Sequence, residues 1–436
     1  MTLLFLPIAQ GNFRLFKFRP LQGVYYHTLK PKLTFENVAD NSYQKDIEKY
    51  ISENHGFRQP IIRLYNQYLW DFYKKTYAND VVCGKDGWLF FGKNIETYYG
   101  TFQHTVFGSN EDAKKTYDRI IRTMNKLRHV LKEFDIEFLA YISPDKCYVF
   151  PDFIPEREHD TTTIDVCSYY VDNFNKIGFP CLEMTEMFCQ FRDTMRFEPF
   201  SPYGAHWNFS SVYAADSLFR FIESIRGINL PDIKISNYRK YDKAAEKKNL
   251  GDFDIEWMLN LMCELDHSKC PMYEGDVEIV SDSTHTKPSV LFIGNSFLWH
   301  IKDYIKFGDV FENPRLWYYN KTAYDLINLK ETAVENHDFL DEILKSEYIV
   351  TFCGDTQLFE MSFSFVGQAL VSLCIPDSTF RKKIDYICES QGVDERKAKA
   401  VIYYNPEIFD ELKGDCIPMI RNEAALEKLN SIKGGK

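Results

Sequence analysis

The sequence predicts an α/β protein built on a parallel sheet with helices on both faces. Apolar runs of strand length alternate with amphipathic stretches of helix length from about residue 109 to 353. One of these runs, Pro288-Ser-Val-Leu-Phe-Ile-Gly-Asn-Ser296, reads as a buried strand driven straight into a tight turn. A chain of 436 residues, 45% hydrophobic and 16% aromatic, can bury the large core such a sheet needs.

Taken in order, residues 2–10 are apolar but shorter than the roughly 20 residues a bilayer span requires. They read as the stub of a signal anchor over residues 1–14 or as a buried N-terminal strand. Residues 15–79 form a helical lead-in. Within it, Asn41 to about Lys75 predicts two amphipathic helices, with Ile61, Ile62, Leu64, Tyr65, Tyr68, Leu69 and Phe72 recurring at three- and four-residue spacing to meet the main domain. Val81 to Phe91 reads as a hairpin around a Gly/Asp turn and opens a catalytic domain over 80–360.

Ser109, with Asp112 three residues on, caps a long helix whose inward face carries Ala113, Tyr117, Ile120, Met124, Leu127 and Leu131. Strands follow at Ile136–Ile142, near Pro180–Met184, at Val290–Ile293, Leu316–Tyr319 and Tyr348–Cys353. Helices are predicted near Thr163–Lys176, Asn208–Ile225, Leu298–Ile305 and Glu331–Leu344. The polar stretch from Asn237 to Lys287 predicts an irregular insertion bordering the cleft. Residues 361–436 read as a helical extension.

The net charge of −11 argues against nucleic acid or an anionic membrane surface as partner. Eleven cysteines cannot all pair within the chain. Cys83, Cys147, Cys353 and Cys374 sit in apolar surroundings and read as core residues. Cys263 and Cys270 flank His267, but their spacing fits no common zinc site, so a local disulfide is the better expectation and no metal or cofactor is predicted.

The chemistry gathers at the serine turn. A serine hydroxyl is a poor nucleophile at neutral pH and needs a base for its proton and donors for the oxyanion that develops on an acyl carbonyl. Ser296 is the candidate nucleophile. Gly294 permits a sharp turn and Asn295 can brace it with its side-chain amide. His206, in the loop Tyr203-Gly-Ala-His-Trp207 just before a predicted helix, is the candidate base. Trp207 and Trp299 are candidate stacking surfaces for a ligand, and Lys146 a candidate contact for its polar groups.

Five blocks, Gly84-Lys-Asp-Gly-Trp-Leu-Phe90, Ile142-Ser-Pro-Asp-Lys146, His206-Trp207, Leu250-Gly-Asp252 and Gly294-Asn-Ser-Phe297, resemble in order and spacing the SGNH-fold periplasmic alginate O-acetyltransferases of the AlgX/AlgJ type. The resemblance covers roughly residues 20 to 360. It implies a flavodoxin-like SGNH sheet with the histidine block before the serine block, and acetyl transfer or removal on an extracytoplasmic polysaccharide. By the same likeness Ser296 forms an acetyl-enzyme and His206 is its base. The chain would work in the periplasm, tethered to the inner membrane by its N-terminus, with a membrane-bound O-acyltransferase handing over acetyl groups.

Two positions depart from that pattern. The family's serine block carries Asp where this chain has Asn295, a change that keeps the hydrogen-bonding shape. Its histidine block carries an orienting Asp where this chain has Gly204, which removes the acid of the triad. Asp145, Asp282 and Asp355, each in a loop beside a predicted strand end, are the candidates to refill that role. The alternative is a catalytically impaired member of the fold that keeps its cleft for binding or scaffolding polysaccharide.

Overall fold

The computed structural model describes residues 2–23, 28–241, 250–270 and 272–434. In chain order the strands are β1 (Val81–Cys83), β2 (Leu89–Phe91), β3 (Glu137–Ser143), β4 (Cys181–Glu183), β5 (Asp232–Tyr241), β6 (Met272–Val280), β7 (Ser289–Gly294), β8 (Glu312–Tyr318), β9 (Thr322–Asp325), β10 (Glu331–Ala333) and β11 (Tyr348–Gly354). Seven of them form one sheet in the order β10-β9-β8-β7-β11-β3-β4. The five strands from β8 to β4 run parallel, and β9 and β10 add an antiparallel edge.

Alternation along the strands divides the core between the two faces of the sheet. Phe138, Ala140 and Ile142 of β3, Leu291 and Ile293 of β7, and Ile349 and Cys353 of β11 lie in one cluster, under the helix Asn110–Lys132. Leu139, Tyr141, Val290, Phe292, Val350 and Phe352 lie in the other, under the helix Ser211–Arg226. Because both faces are covered, the strands read as nearly unbroken apolar runs. The long helix starts where the sequence predicts, with the Ser109 hydroxyl accepting the Asp112 N–H at 3.1 Å.

The helices after residue 361 pack on the main core. Phe365, Leu370, Leu373, Ile384, Ile402 and Leu412 are buried in the same cluster as the helix Asn110–Lys132. Residues Thr2–Phe13 are helical, neither strand nor bilayer span, and no helix among the described residues is long and apolar enough to cross a membrane.

Three local expectations differ from the structure. The helix Arg58–Tyr73 turns the opposite face inward: Arg63 donates to the Leu261 carbonyl at 3.0 Å and Asn66 to that of Leu259 at 2.8 Å, while Ile61, Leu64, Tyr65, Tyr68 and Phe72 are exposed. Loop carbonyls needing donors decide that orientation. The insertion contains an antiparallel ribbon, β5–β6, whose strands are too charged to announce themselves by apolar alternation. The predicted helix Glu331–Leu344 is strand β10, a short turn, and a helix only over Phe339–Leu344, begun by the Asp338 carboxylate accepting the Asp341 N–H at 3.0 Å.

The hairpin β1–β2 forms as predicted and packs beside the histidine loop, where the Leu89 N–H donates to the Pro202 carbonyl at 2.8 Å. The carboxyl ends of β3, β7, β8 and β11 therefore share one edge of the sheet with that loop. In open parallel sheets ligands bind at this edge.

Candidate active site

Ser296 stands just past the end of β7, after Asn295, and caps the short helix Phe297–Lys302. Asn295 holds this turn from inside the fold. Its N–H donates to the Phe352 carbonyl at 3.2 Å, its Oδ1 accepts the Phe297 N–H at 3.1 Å, and its Nδ2 donates to Gln357 Oε1 at 2.6 Å. The bracing role assigned from sequence is thus matched by a partner, Gln357, that the sequence did not single out. Gly294 has an ordinary backbone angle, and its lack of a side chain serves packing: a Cβ there would stand 3.0 Å from Cβ of Phe352.

His206 reaches the serine from the other side of the cleft, with Nε2 2.6 Å from Ser296 Oγ across 90 residues of sequence. Its Nδ1 lies 2.5 Å from Oδ2 of Asp254. Desolvation raises the Asp254 carboxyl, but His206, through its charge and hydrogen bond, and the Ala205 N–H outweigh it and hold the group below its ordinary value. An ionised carboxylate only accepts, so Nδ1–H donates to Asp254, and in the neutral imidazole Nε2 then has its lone pair toward the serine hydroxyl. Asp254 also accepts the N–H groups of Ala205 at 2.8 Å and Ile255 at 2.9 Å through Oδ1.

Asp254 is the residue that sequence reasoning missed. It sits at the start of the short helix Asp254–Met258, two positions beyond the Leu250-Gly-Asp252 block. A carboxylate opening a helix behind a glycine was the available signal.

The three proposed replacements for the acid stand elsewhere. Asp145 accepts the Cys147 N–H at 2.7 Å and the Asn94 amide. Asp282 organises an exposed turn by accepting the Thr284 N–H at 2.8 Å. Asp355 is buried past the end of β11, where burial and neighbouring carboxylates push its acid well above the ordinary range. His206 bonds none of the three.

Two of the proposed ligand contacts are also relocated. Lys146 is buried, and its ammonium donates to the carbonyls of Leu89, Pro202 and Gly204 at 2.8, 3.0 and 2.7 Å, so no donor remains for a ligand. Trp207 is fully buried, and its Nε1–H donates to the Phe297 carbonyl at 3.0 Å, tying the histidine loop to the serine helix. Trp299 is half-buried beside the serine, edge-on to Tyr324 with ring centroids 4.8 Å apart.

Two further side chains crowd the pair. Tyr318, at the carboxyl end of β8, pairs in register with Gly294 and so brings its hydroxyl near the Ser296 side chain. His300, one helical turn after Ser296, lies against the His206 ring with centroids 4.5 Å apart. Burial, reinforced by His206, pushes its imidazole down to about 3, so it is neutral, and its Nδ1 lies 3.7 Å from Asp303 Oδ2, outside hydrogen-bond reach.

The expected disulfide between Cys263 and Cys270 is not formed in this structure. Cys263 is exposed, while Cys270 is buried with its sulfur 2.8 Å from Ser201 Oγ, and all eleven thiols are free. His267 pairs instead with Glu256 at 2.7 Å.

No protein-family model matches the chain, and no curated protein matches it. Solved structures do match. The O-acetyltransferase domain of Pseudomonas putida AlgJ is 14% identical, with 64% of this chain and 92% of that one covered at a TM-score of 0.41. Pseudomonas aeruginosa AlgX is 13% identical, with 65% and 68% covered at 0.40, and Bacillus cereus PatB1 is 13% identical, with 56% and 91% covered at 0.32. At these values the chemistry of the site rests on this chain's own side chains.

Proposed function

We propose that this chain is an SGNH-type O-acetyltransferase or acetylesterase of an extracytoplasmic polysaccharide, working through an acetyl-enzyme on Ser296. The observation that carries the reading is the unbroken chain Asp254 Oδ2, His206 Nδ1, His206 Nε2, Ser296 Oγ, with contacts of 2.5 and 2.6 Å. That is the geometry a serine needs to lose its proton as it attacks an acyl carbon.

In the first half-reaction His206 Nε2 takes the hydroxyl proton while Oγ bonds to the acetyl carbon. Asp254 holds the imidazole in place and stabilises the imidazolium that results. The Ser296 N–H and the Tyr318 hydroxyl are the donors we assign to the developing oxyanion. His206 then returns the proton to the departing donor oxygen. In the second half-reaction it removes a proton from the acceptor, a sugar hydroxyl for transfer or water for hydrolysis, and Ser296 leaves.

The polysaccharide, the periplasmic setting, the N-terminal tether and a membrane-bound O-acyltransferase as acetyl source come from the ordered resemblance of the sequence blocks. The reading as an impaired, purely binding protein was motivated by Gly204. The bond between Asp254 and His206 favours the catalytic reading over it.

The test offers an activated acetyl ester with a panel of acetyl-free acidic and neutral polysaccharides. Acetyl groups appearing on one glycan, and lost with Ser296→Ala, support transfer. Release of acetate alone supports the esterase. Glycan retention without turnover of any ester supports the binding protein and contradicts the proposal.

A further inference from the structure

Lys146 lies outside the reacting groups, yet its side chain connects three parts of the site. It leaves the turn after β3 and runs beneath the hairpin, with Nζ 5.0 Å from the ring centroid of Trp88 and 4.8 Å from that of Phe90. There it meets three carbonyls, one on β2 and two on the loop that carries His206. An ammonium has three N–H groups and each of them is used.

One of these bonds has particular reach. The Gly204 carbonyl that accepts from Lys146 at 2.7 Å and the Ala205 N–H that donates to Asp254 at 2.8 Å belong to the same planar peptide unit. The unit stands between an ammonium at its oxygen end and a carboxylate at its nitrogen end. Its dipole is aligned with both charges, so each bond polarises and strengthens the other. The next residue is His206.

We propose that Lys146 is a positioning residue of the site, acting on Asp254 and His206 through the Gly204–Ala205 peptide. This rests on the reading of Ser296, His206 and Asp254 as the reacting set. The ammonium fixes the height of the histidine loop against the sheet, and its charge favours ionised Asp254.

Electrostatics agree with the placement. Burial pushes the Lys146 ammonium down to about 7, and Asp254 is the leading influence that holds it up, ahead of Cys147, Cys270 and Asp145. The charged and titratable groups around Asp254 are Lys146, His206, His300 and Asp252. Removing the Lys146 cation makes the Asp254 carboxylate easier to protonate, so the acid limb of a pH–rate profile moves to higher pH.

The experiment compares Lys146→Met and Lys146→Gln with Lys126→Met. Lys126 is an equally buried lysine on the far side of the sheet, bonded to Glu407 and the Leu412 carbonyl, and it serves as the control for loss of a buried ammonium. Acetylation of Ser296 by p-nitrophenyl acetate should fall roughly a hundredfold in the Lys146 variants, the order expected when a reacting group is displaced by about an ångström. Their acid limb should move up in pH, and Lys126→Met should change neither. If Lys146→Met does not fold, Lys146→Gln, which still offers two donors, is judged by the same criteria.

A second readout is the low-field proton resonance of His206 Nδ1–H, which reports the bond to Asp254 without any turnover. Its loss or upfield shift in the Lys146 variants supports the proposal. A folded Lys146 variant with wild-type acetylation, acid limb and His206 resonance overturns it. Failure of the wild type to acetylate Ser296 would reject the catalytic reading itself, and the His206 resonance alone would then decide the role of Lys146.

Discussion

A β-carbon placed on Gly204 would stand 1.8 Å from the carbonyl oxygen of Gly251. The backbone around Gly251 thus fills the space that a side chain at 204 would need, and the same segment brings Asp254 to His206 from 48 residues downstream. Loss of the acid at one position and its supply from another are a single structural arrangement.

Restoring an aspartate at 204 should therefore harm the protein. Gly204→Asp drives a side chain into backbone, an overpacking that costs roughly 1–3 kcal/mol. The denaturation midpoint should fall along with esterase activity. Adding Gly204→Asp to Asp254→Asn should not restore activity; recovery in the double variant would show that the acid can work from either place.

Asp254→Asn keeps the shape and removes the charge that fixes the imidazole tautomer. The expected loss in kcat is about 10³- to 10⁴-fold with an unchanged circular dichroism spectrum, by analogy with triads that lose their acid. Equivalent substitutions at Asp145, Asp282 or Asp355 should leave the chemical step within a few-fold of wild type in every variant that folds. Steady-state kinetics on a chromogenic acetyl ester separates these outcomes.

Tyr318→Phe removes the hydroxyl that lies near the Ser296 side chain. If that hydroxyl also meets the oxyanion, kcat should fall by roughly 10²-fold with little change in KM. An increase in KM alone would assign Tyr318 to holding the substrate instead.

Asp252 should make stability fall with rising pH. Burial, with Asp254 nearby, pushes its carboxyl up to about 8, and neither oxygen has a hydrogen-bond partner among the described residues. Its folded-state value lies above the unfolded one, so its contribution is complete below about pH 4 and is lost as pH rises through about 8. Between those limits the slope is about 1.4 kcal/mol per pH unit for one proton. Denaturant midpoints from pH 5 to 8.5 should fall in wild type and flatten in Asp252→Asn; parallel curves would contradict this.

The sheet and the Ser296–His206 pair were legible because each has a local signature: unbroken apolar runs such as Val290–Ile293, and a strand that ends on a serine. The acid was not, because Asp254 lies in a polar stretch without apolar period and its partner is distant in sequence. Lys146 misled for a related reason. A lysine after a strand is ordinarily solvated, and only the fold brings the carbonyls of Leu89, Pro202 and Gly204 around it. The face of the helix Arg58–Tyr73 was inverted because Arg63 and Asn66 satisfy loop carbonyls that no apolar count registers.

Ser296 should become acetylated during turnover, with His206 as its base. Intact-protein mass spectrometry during turnover of p-nitrophenyl acetate, with peptide mapping of the quenched enzyme, tests it directly. The mass of one acetyl group should appear on the peptide containing Ser296, absent in Ser296→Ala and formed far more slowly in His206→Ala. An unmodified Ser296 alongside hydrolysis that persists in Ser296→Ala would contradict it.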